Sequence, residues 1–253
     1  MLNIVIPMAG AGSRFAKAGY EQPKPLIPVH GIPMIRLVTE NIRPSQPHRF
    51  IYICQRAHVE AYGLREKLAS YAPGSVIVEL DGLTEGAACT VLRAKDLIDG
   101  DDALMIANSD QYVDISIDDY LAEMDEKSLD GLIMTMYADD PKWSFARLDE
   151  NGLVTEVVEK QVISEHATVG IYNFRRGADF VRCAEAMIAA DLRVNGEFYV
   201  APVYNGLVAE GGRIGIYDVG SEAAGMYGLG IPADLDLFVG LEVSRRAVAG
   251  MRP

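Results

Sequence analysis

The stretch IPMAGAGSRF, residues 6 to 15, sets Gly10, Gly12, Ser13 and Arg14 directly behind the first apolar run of the chain. Glycines in such a loop let the backbone bend sharply and bring N–H groups from Ala9 onward against an anion, with no Cβ between. The same residues also serve an ordinary tight turn between a strand and a helix. Lys24 follows ten residues after Arg14, inside PKPL. Prolines stiffen that segment and lower the entropy cost of holding a cation in one place. Taken alone, Lys24 is a solvated loop lysine; with Arg14 it makes two cations converging on one glycine loop, an arrangement suited to a triphosphate. Two better-known phosphate loops are excluded. No Lys-Ser or Lys-Thr follows as in a Walker A loop, and Phe15 stands where a dinucleotide fingerprint has its third glycine.

Asp110 follows the continuous apolar run ALMIAN. A carboxylate at the C-terminal end of a strand in an open α/β sheet lies where ligands bind, so it suits Mg²⁺; it suits a helix N-cap equally well. Asp114 and Asp118 read as solvated or capping residues. Glu159 and Lys160 close another strand and, on their own, read as a surface pair. His30, His48, His58 and His166 show no ligand spacing, which argues against zinc. Cys54, Cys89 and Cys183 form no C-x-x-C pair and fit a reducing compartment as inert packing residues.

These residues need elements to hold them. LNIVIPM, RFIYIC, SVIVEL and ALMIAN read as buried strands, and helices are predicted from about Pro33 to Ile42, over AHVEAYGLREKLASY and over GAACTVLRAKDLI. The four prolines of EQPKPLIPVHGIP forbid regular helix and ladder pairing. Strand and helix alternating at this rhythm predict a parallel, doubly wound sheet. After about residue 130 the pattern changes. GLIMTMYA, FARLDENGLVTEVVE (turning at DENG) and ATVGIYNF predict added antiparallel strands, ADFVRCAEAMIAA and GEFYVAPVYNGLVAEG predict helices, RIGIYDV a late strand, and a last helix follows Pro232. No repeat or linker divides the chain, so one domain over residues 1–253 is expected.

The composition sets limits. The 253 residues can bury a sizeable core, and 49% apolar with 23% charged residues is ordinary for a soluble globular protein. A net charge of −13 argues against nucleic acid or an anionic membrane as a general partner, so each cation in a glycine loop counts for more. No apolar run reaches membrane-spanning length, and the first strand begins at Leu2 without a basic leader, so a cytoplasmic protein is expected. A homo-oligomer is compatible with all of this.

Together, MAGAGSRFAKAGYEQPKPLIPVHGIPMI resembles the signature of the sugar-phosphate nucleotidylyltransferases: a Gly-x-Gly-x-Arg loop, then Pro-Lys-Pro-Leu, then Gly-x-Pro-Met-Ile. TEGAACTVLRA resembles the family's nucleoside-facing segment, IANSDQY its strand ending in a metal-binding Asp, and VVEK with ATVGIYNF its acceptor-side pieces. The resemblance covers residues 3 to about 175, more weakly to 237. It implies a Rossmann-like three-layer α/β/α domain of GT-A type. A mainly parallel nucleotide-binding half spans about 1–130, and an acceptor-binding half with antiparallel strands spans about 131–253. It implies transfer of a nucleotidyl group from an NTP to a phosphorylated small molecule, a sugar 1-phosphate foremost, giving an NDP-sugar for surface-polysaccharide precursors and pyrophosphate, with Mg²⁺ as cofactor. Ala9, Gly10, Gly12, Ser13, Arg14 and Lys24 would hold the phosphates, and Thr84, Glu85 and Gly86 would line the nucleoside. Arg14, Lys24 and Asp110 would be catalytic, Asp110 also the metal ligand. Glu159, Lys160 and Gly170 would hold the acceptor. With the sequence ending soon after its last helix, no C-terminal β-helical acetyltransferase domain is expected. Two departures matter. In MYGLGIPADL, Gly228 stands where the family has a second metal-binding Asp and Ile231 replaces its Thr, so a metal would keep more waters or borrow Asp218 or Asp234. TEGAA lacks the usual Gln-Pro start, which leaves the base open. A nucleotide-sugar glycosyltransferase and a non-catalytic metabolite sensor are the competing functions.

Overall fold

Alternation along the first strand decides the architecture. In β1 (Leu2–Pro7), Ile4 and Ile6 pack with Met34, Val38 and Tyr52 on one side, while Val5 packs with Ile51, Val91 and Leu104 on the other. Both faces are apolar and must be covered, which a parallel sheet achieves with helices on each side. Helices Met34–Asn41 and Leu64–Tyr71 cover one face; Ala87–Leu92 and Gly177–Ala189 cover the other. Each fully buried Leu, Ile or Phe contributes about 1.5–3 kcal/mol. The computed structural model describes residues 1–251.

The other strands, in order, are β2 (Pro28–Val29), β3 (Ile32–Pro33), β4 (His48–Gln55), β5 (Val76–Leu80), β6 (Ala103–Ala107), β7 (Gln111–Val113), β8 (Gly131–Tyr137), β9 (Ser144–Leu148), β10 (Val154–Glu159), β11 (His166–Phe174), β12 (Ile214–Glu222) and β13 (Gly225–Gly228). The main sheet runs β5-β4-β1-β6-β11-β8-β12-β13-β7. Strands β5, β4, β1 and β6 are parallel. β11 enters antiparallel between β6 and β8, and the β9–β10 hairpin leans on β11. β7 does not stay beside β6. It crosses to the far edge and pairs antiparallel with β13, Tyr112 opposite Tyr227 and Gln111 opposite Gly228.

The mixed α/β sheet is the one expected from the alternation, and several local expectations are corrected. The helix over residues 57–71 is two, Arg56–Tyr62 and Leu64–Tyr71, broken at Gly63 in the left-handed region (φ 58). The helix over 86–98 is also two, Ala87–Leu92 and Lys95–Ile98. In the proline-rich segment a single 3₁₀ turn forms at Lys24–Leu26, and ladder pairing does occur, between β2 and β3. Of residues 196–211 only Ala201–Ala209 is helical; the part before it is irregular and holds a neighbouring loop. A second helix, Glu242–Ala247, follows Pro232–Gly240. No helix among the described residues is long and apolar enough to cross a membrane.

Candidate active site

Strand β1 delivers the glycine loop to the C-terminal edge of the parallel strands. Gly12 sits in the left-handed region (φ 58) and starts the short helix Ser13–Lys17, with its carbonyl accepting from Phe15 and Ala16 N–H. Phe15 is fully buried with its ring edge on Tyr20; it anchors the loop where a dinucleotide fold would have a glycine. Gly10 faces open space. Ala9 is buried, and its carbonyl accepts from Gln55 Nε2 at 2.6 Å. Ser13 and Arg14 are exposed on the loop's outer turn.

Lys24 and Asp110 meet. The Lys24 ammonium donates to Asp110 Oδ2 at 2.7 Å, with each side chain about a quarter exposed. Buried Pro25, Leu26 and Ile27 fix the backbone behind Lys24. Asp110 caps no helix, since strand β7 begins at the next residue. Asp114 instead pairs with Arg246 at 2.5 Å, and Asp118 accepts from Ser45 N–H, while Ser116 caps the helix Ile117–Glu126.

A cavity of about 620 Å³ opens over this edge, walled by Arg14, Asp110, Glu159, Gly170, Tyr199 and Asp234 among others. Gly10, Gly12 and Lys24 line a smaller one of about 170 Å³ next to it. The structure gathers Gly10, Gly12, Arg14, Lys24, Asp110, Glu159 and Gly170 around these two cavities, while Ala9 and Ser13 line neither. Thr84, Glu85 and Gly86 line neither cavity; only Ala87 of that segment reaches the larger one. Lys160 reaches it through a neighbour, its Nζ donating to the Tyr199 hydroxyl at 2.6 Å.

On the far wall, Glu159 is buried and accepts from Ser144 Oγ. Burial raises its pKa above the ordinary carboxylate value, and the Ser144 bond opposes that rise. Lys160 takes a left-handed backbone (φ 56), rare for a lysine, fixed by its N–H on Trp143 O. The Tyr199 hydrogen bond raises its pKa, so it stays charged. Gly170 sits at a register shift in β11 with φ 83. A Cβ there would fall 2.2 Å from Asn108 Nδ2 and 2.7 Å from Gln111 Oε1, so only glycine lets these two side chains close over the strand.

The loop at residues 85–88 is strapped to the segment around Phe198. Phe198 N–H donates to Glu85 O (2.8 Å), Ala88 N–H donates to Phe198 O (3.0 Å), and Arg193 stacks over Phe198 while its Nη1 reaches Glu85 Oε1 at 3.0 Å. The next residue is Tyr199, which holds Lys160.

Sequence reasoning missed Asn108, Gln111, Lys142, Trp143 and Tyr199, all on the cavity wall. Trp143 carried a signal, being the chain's single tryptophan, set in the turn DDPKW. Its buried indole N–H has no hydrogen-bond partner among the described residues, and Lys142 lies 4.9 Å over its ring.

The donor set suits a hard divalent cation. The wall carries carboxylates and no thiol or imidazole, and a Cβ at Gly230 would stand 2.8 Å from Asp110 Oδ2, so a bare backbone makes room beside that oxygen. No cluster of three or more His, Cys, Asp or Glu able to hold a metal occurs among the described residues. A cation on Asp110 would therefore keep waters or substrate oxygens, as Mg²⁺ commonly does.

Residues 4–187 match the family described as nucleotidyl transferase. The structure is similar to that of the nucleoside-diphosphate-sugar pyrophosphorylase from Vibrio cholerae RC9, at 28% identity and TM-score 0.80 over 94% of this chain and 100% of the other. It shares its fold with the inositol-1-phosphate CTP transferase from T. maritima, at 15% identity and TM-score 0.74 over 99% and 98% of the two chains. Among curated proteins, the bifunctional protein GlmU of Burkholderia orbicola is 28% identical over 164 residues, 63% of this chain. This chain spans about a third of that relative's length, 34%.

Proposed function

This chain belongs to the nucleotidyl transferase family, and we propose that it joins an NTP to a sugar 1-phosphate, forming an NDP-sugar and releasing pyrophosphate. One observation carries this reading: a single cavity wall unites Arg14 and Asp110 from the glycine-loop side with Glu159 and Gly170 from the added strands. Two substrates can therefore meet there.

An oxygen of the acceptor phosphate attacks the α-phosphorus in line. The P–O bond to the β-phosphate breaks, and the electron pair leaves with pyrophosphate. That oxygen is already an anion, so no general base is needed; catalysis is positioning and charge neutralisation. Two like charges about 4 Å apart repel by about 4 kcal/mol near a protein surface, and the chain's cations must offset this. Arg14 with the Gly10 and Gly12 amides holds the β and γ phosphates, and Lys24 the α-phosphate. Glu159 and Tyr199 face the acceptor's hydroxyls, and Lys160 its phosphate. Mg²⁺, held by Asp110, would supply charge neutralisation on the phosphoryl oxygens. We place the enzyme in the cytoplasm, a reading supported by three free cysteines, two of them buried.

Pyrophosphate release measured with each NTP against a panel of sugar 1-phosphates tests the proposal. A burst of pyrophosphate with one pair is expected; none with any pair refutes it.

A further inference from the structure

Three carboxylates line the large cavity: Asp110, Glu159 and Asp234. The first is paired with Lys24 and the second is bonded by Ser144. Asp234 makes no hydrogen bond or ion pair with any described residue. It lies in the first turn of the helix Pro232–Gly240, yet no side-chain bond caps that helix, so the helix start does not use it.

The backbone beneath explains where it points. Leu229 N–H donates to the Asp110 carbonyl at 2.8 Å, and the Leu229 side chain is fully buried. Positions 228 and 230 on either side therefore turn toward the cavity, and both are glycine. A Cβ on Gly230 would lie 2.8 Å from Asp110 Oδ2, and a Cβ on Gly228 would lie 3.3 Å from Asp234 Oδ2. Each bare position is the floor under one carboxylate. Two residues along an extended chain span about 6–7 Å, so the acids lean over adjacent places, within reach of one cation and its waters. Asp218, the alternative acid named from the sequence, is exposed on β12 with Oδ1 accepting from Gly220 N–H, and it lines no part of the cavity.

We propose that Asp234 is the second carboxylate of a divalent-cation site shared with Asp110, reaching back from the helix into the space left open by Gly228. This rests on the nucleotidyl-transfer reading above, and it makes Gly228 and Asp234 a matched pair: a side chain at 228 and the carboxylate of Asp234 compete for one space.

The test titrates Mn²⁺ alone into the whole chain and follows free Mn²⁺ by electron paramagnetic resonance. Asp110→Asn and Asp234→Asn should each weaken Mn²⁺ at least about tenfold, the usual scale for disturbing a metal shell, while Asp218→Asn leaves it unchanged. Moving the acid, in the double variant Gly228→Asp with Asp234→Asn, should restore affinity to within a few-fold of wild type. Position 228 lies outside the left-handed region, so its backbone accepts a side chain. Recovery in the double variant also shows that Asp234→Asn fails through lost metal rather than lost fold. Wild-type affinity in Asp234→Asn, beside a loss in Asp110→Asn, overturns the assignment; so does a wild type that binds no Mn²⁺. Pyrophosphate release by the wild type, measured in parallel, tells failure of this proposal from failure of the nucleotidyl-transfer reading.

Discussion

Replacing Gly86 with alanine should both loosen the fold and spoil the proposed nucleotide site. Gly86 has φ 134, a region open in practice to glycine alone, and a Cβ there would lie 2.4 Å from Phe198 O and 2.5 Å from Phe198 N. Both atoms are backbone, so nothing flexible can step aside. Relief requires pulling the 85–88 loop off Phe198, which breaks the bonds Phe198 N–H to Glu85 O and Ala88 N–H to Phe198 O. Each contributes about 1 kcal/mol, and the backbone strain adds about 1–3 kcal/mol, giving a loss of about 3–5 kcal/mol. At this chain length that is a fall in Tm of about 10 °C. Urea unfolding followed by circular dichroism measures it, and the NTP KM should rise in parallel as the strap gives way. Gly10→Ala is the control. Its Cβ meets nothing within 4 Å and its φ is not left-handed, so stability should change by less than about 0.5 kcal/mol. If Gly86→Ala unfolds within 1 kcal/mol of wild type, the strap carries no weight and the steric reasoning is wrong.

Lys24→Ala should lower kcat about 10²- to 10³-fold, the scale for one preorganised donor, with modest change in NTP affinity, whereas Arg14→Ala should raise the NTP KM as well. Loss of NTP binding in Lys24→Ala and none in Arg14→Ala would reverse the two placements. Lys160→Ala should weaken the acceptor more than the nucleotide in steady-state kinetics; unchanged affinity for both marks Lys160 as a surface residue. Glu159 has a raised folded-state pKa, so the folded form binds the extra proton. Its contribution is present below the ordinary carboxylate value and is lost as pH rises through the raised one. Glu159→Gln should therefore gain stability relative to wild type across that window, read as the difference in urea midpoints against pH, and a flat difference would contradict the shift.

Much of the sheet is legible because burial on both faces leaves continuous apolar runs such as ALMIAN and LNIVIP, and glycines and prolines punctuate them. The loop-to-strand juncture at Asp110 was legible for the same reason. What resisted was whatever depended on contacts distant in sequence. GEFYVAPVYNGLVAEG carries helical spacing throughout, yet its first residues spend their backbone groups on the 85–88 loop. Gly63 interrupts a good helical pattern because a left-handed residue ends a helix whatever its neighbours prefer. The sequence offers Asp218 and Asp234 as equal alternatives for a metal, and only the cavity wall and the bare floor at Gly228 set Asp234 apart. Family likeness alone singles out Gly170; the crowding by Asn108 and Gln111 that requires a glycine there is a tertiary fact.

The crossing of β7 to pair with β13 bears on how such a chain can be inherited in pieces. A recombinant joined near residue 130 would take Gln111–Val113 from one parent and Gly225–Gly228 from the other. The edge ladder, Gln111 against Gly228 and Tyr112 against Tyr227, would then be assembled from unrelated sequences. The residue just ahead of that ladder is Asp110, and the segment just after it holds Gly230. A mismatch of one register step would turn every side chain of the short strand over and move the acid with it. The portions before and after residue 130 are thus not interchangeable cassettes. They share a seam, and the seam runs through the chemistry.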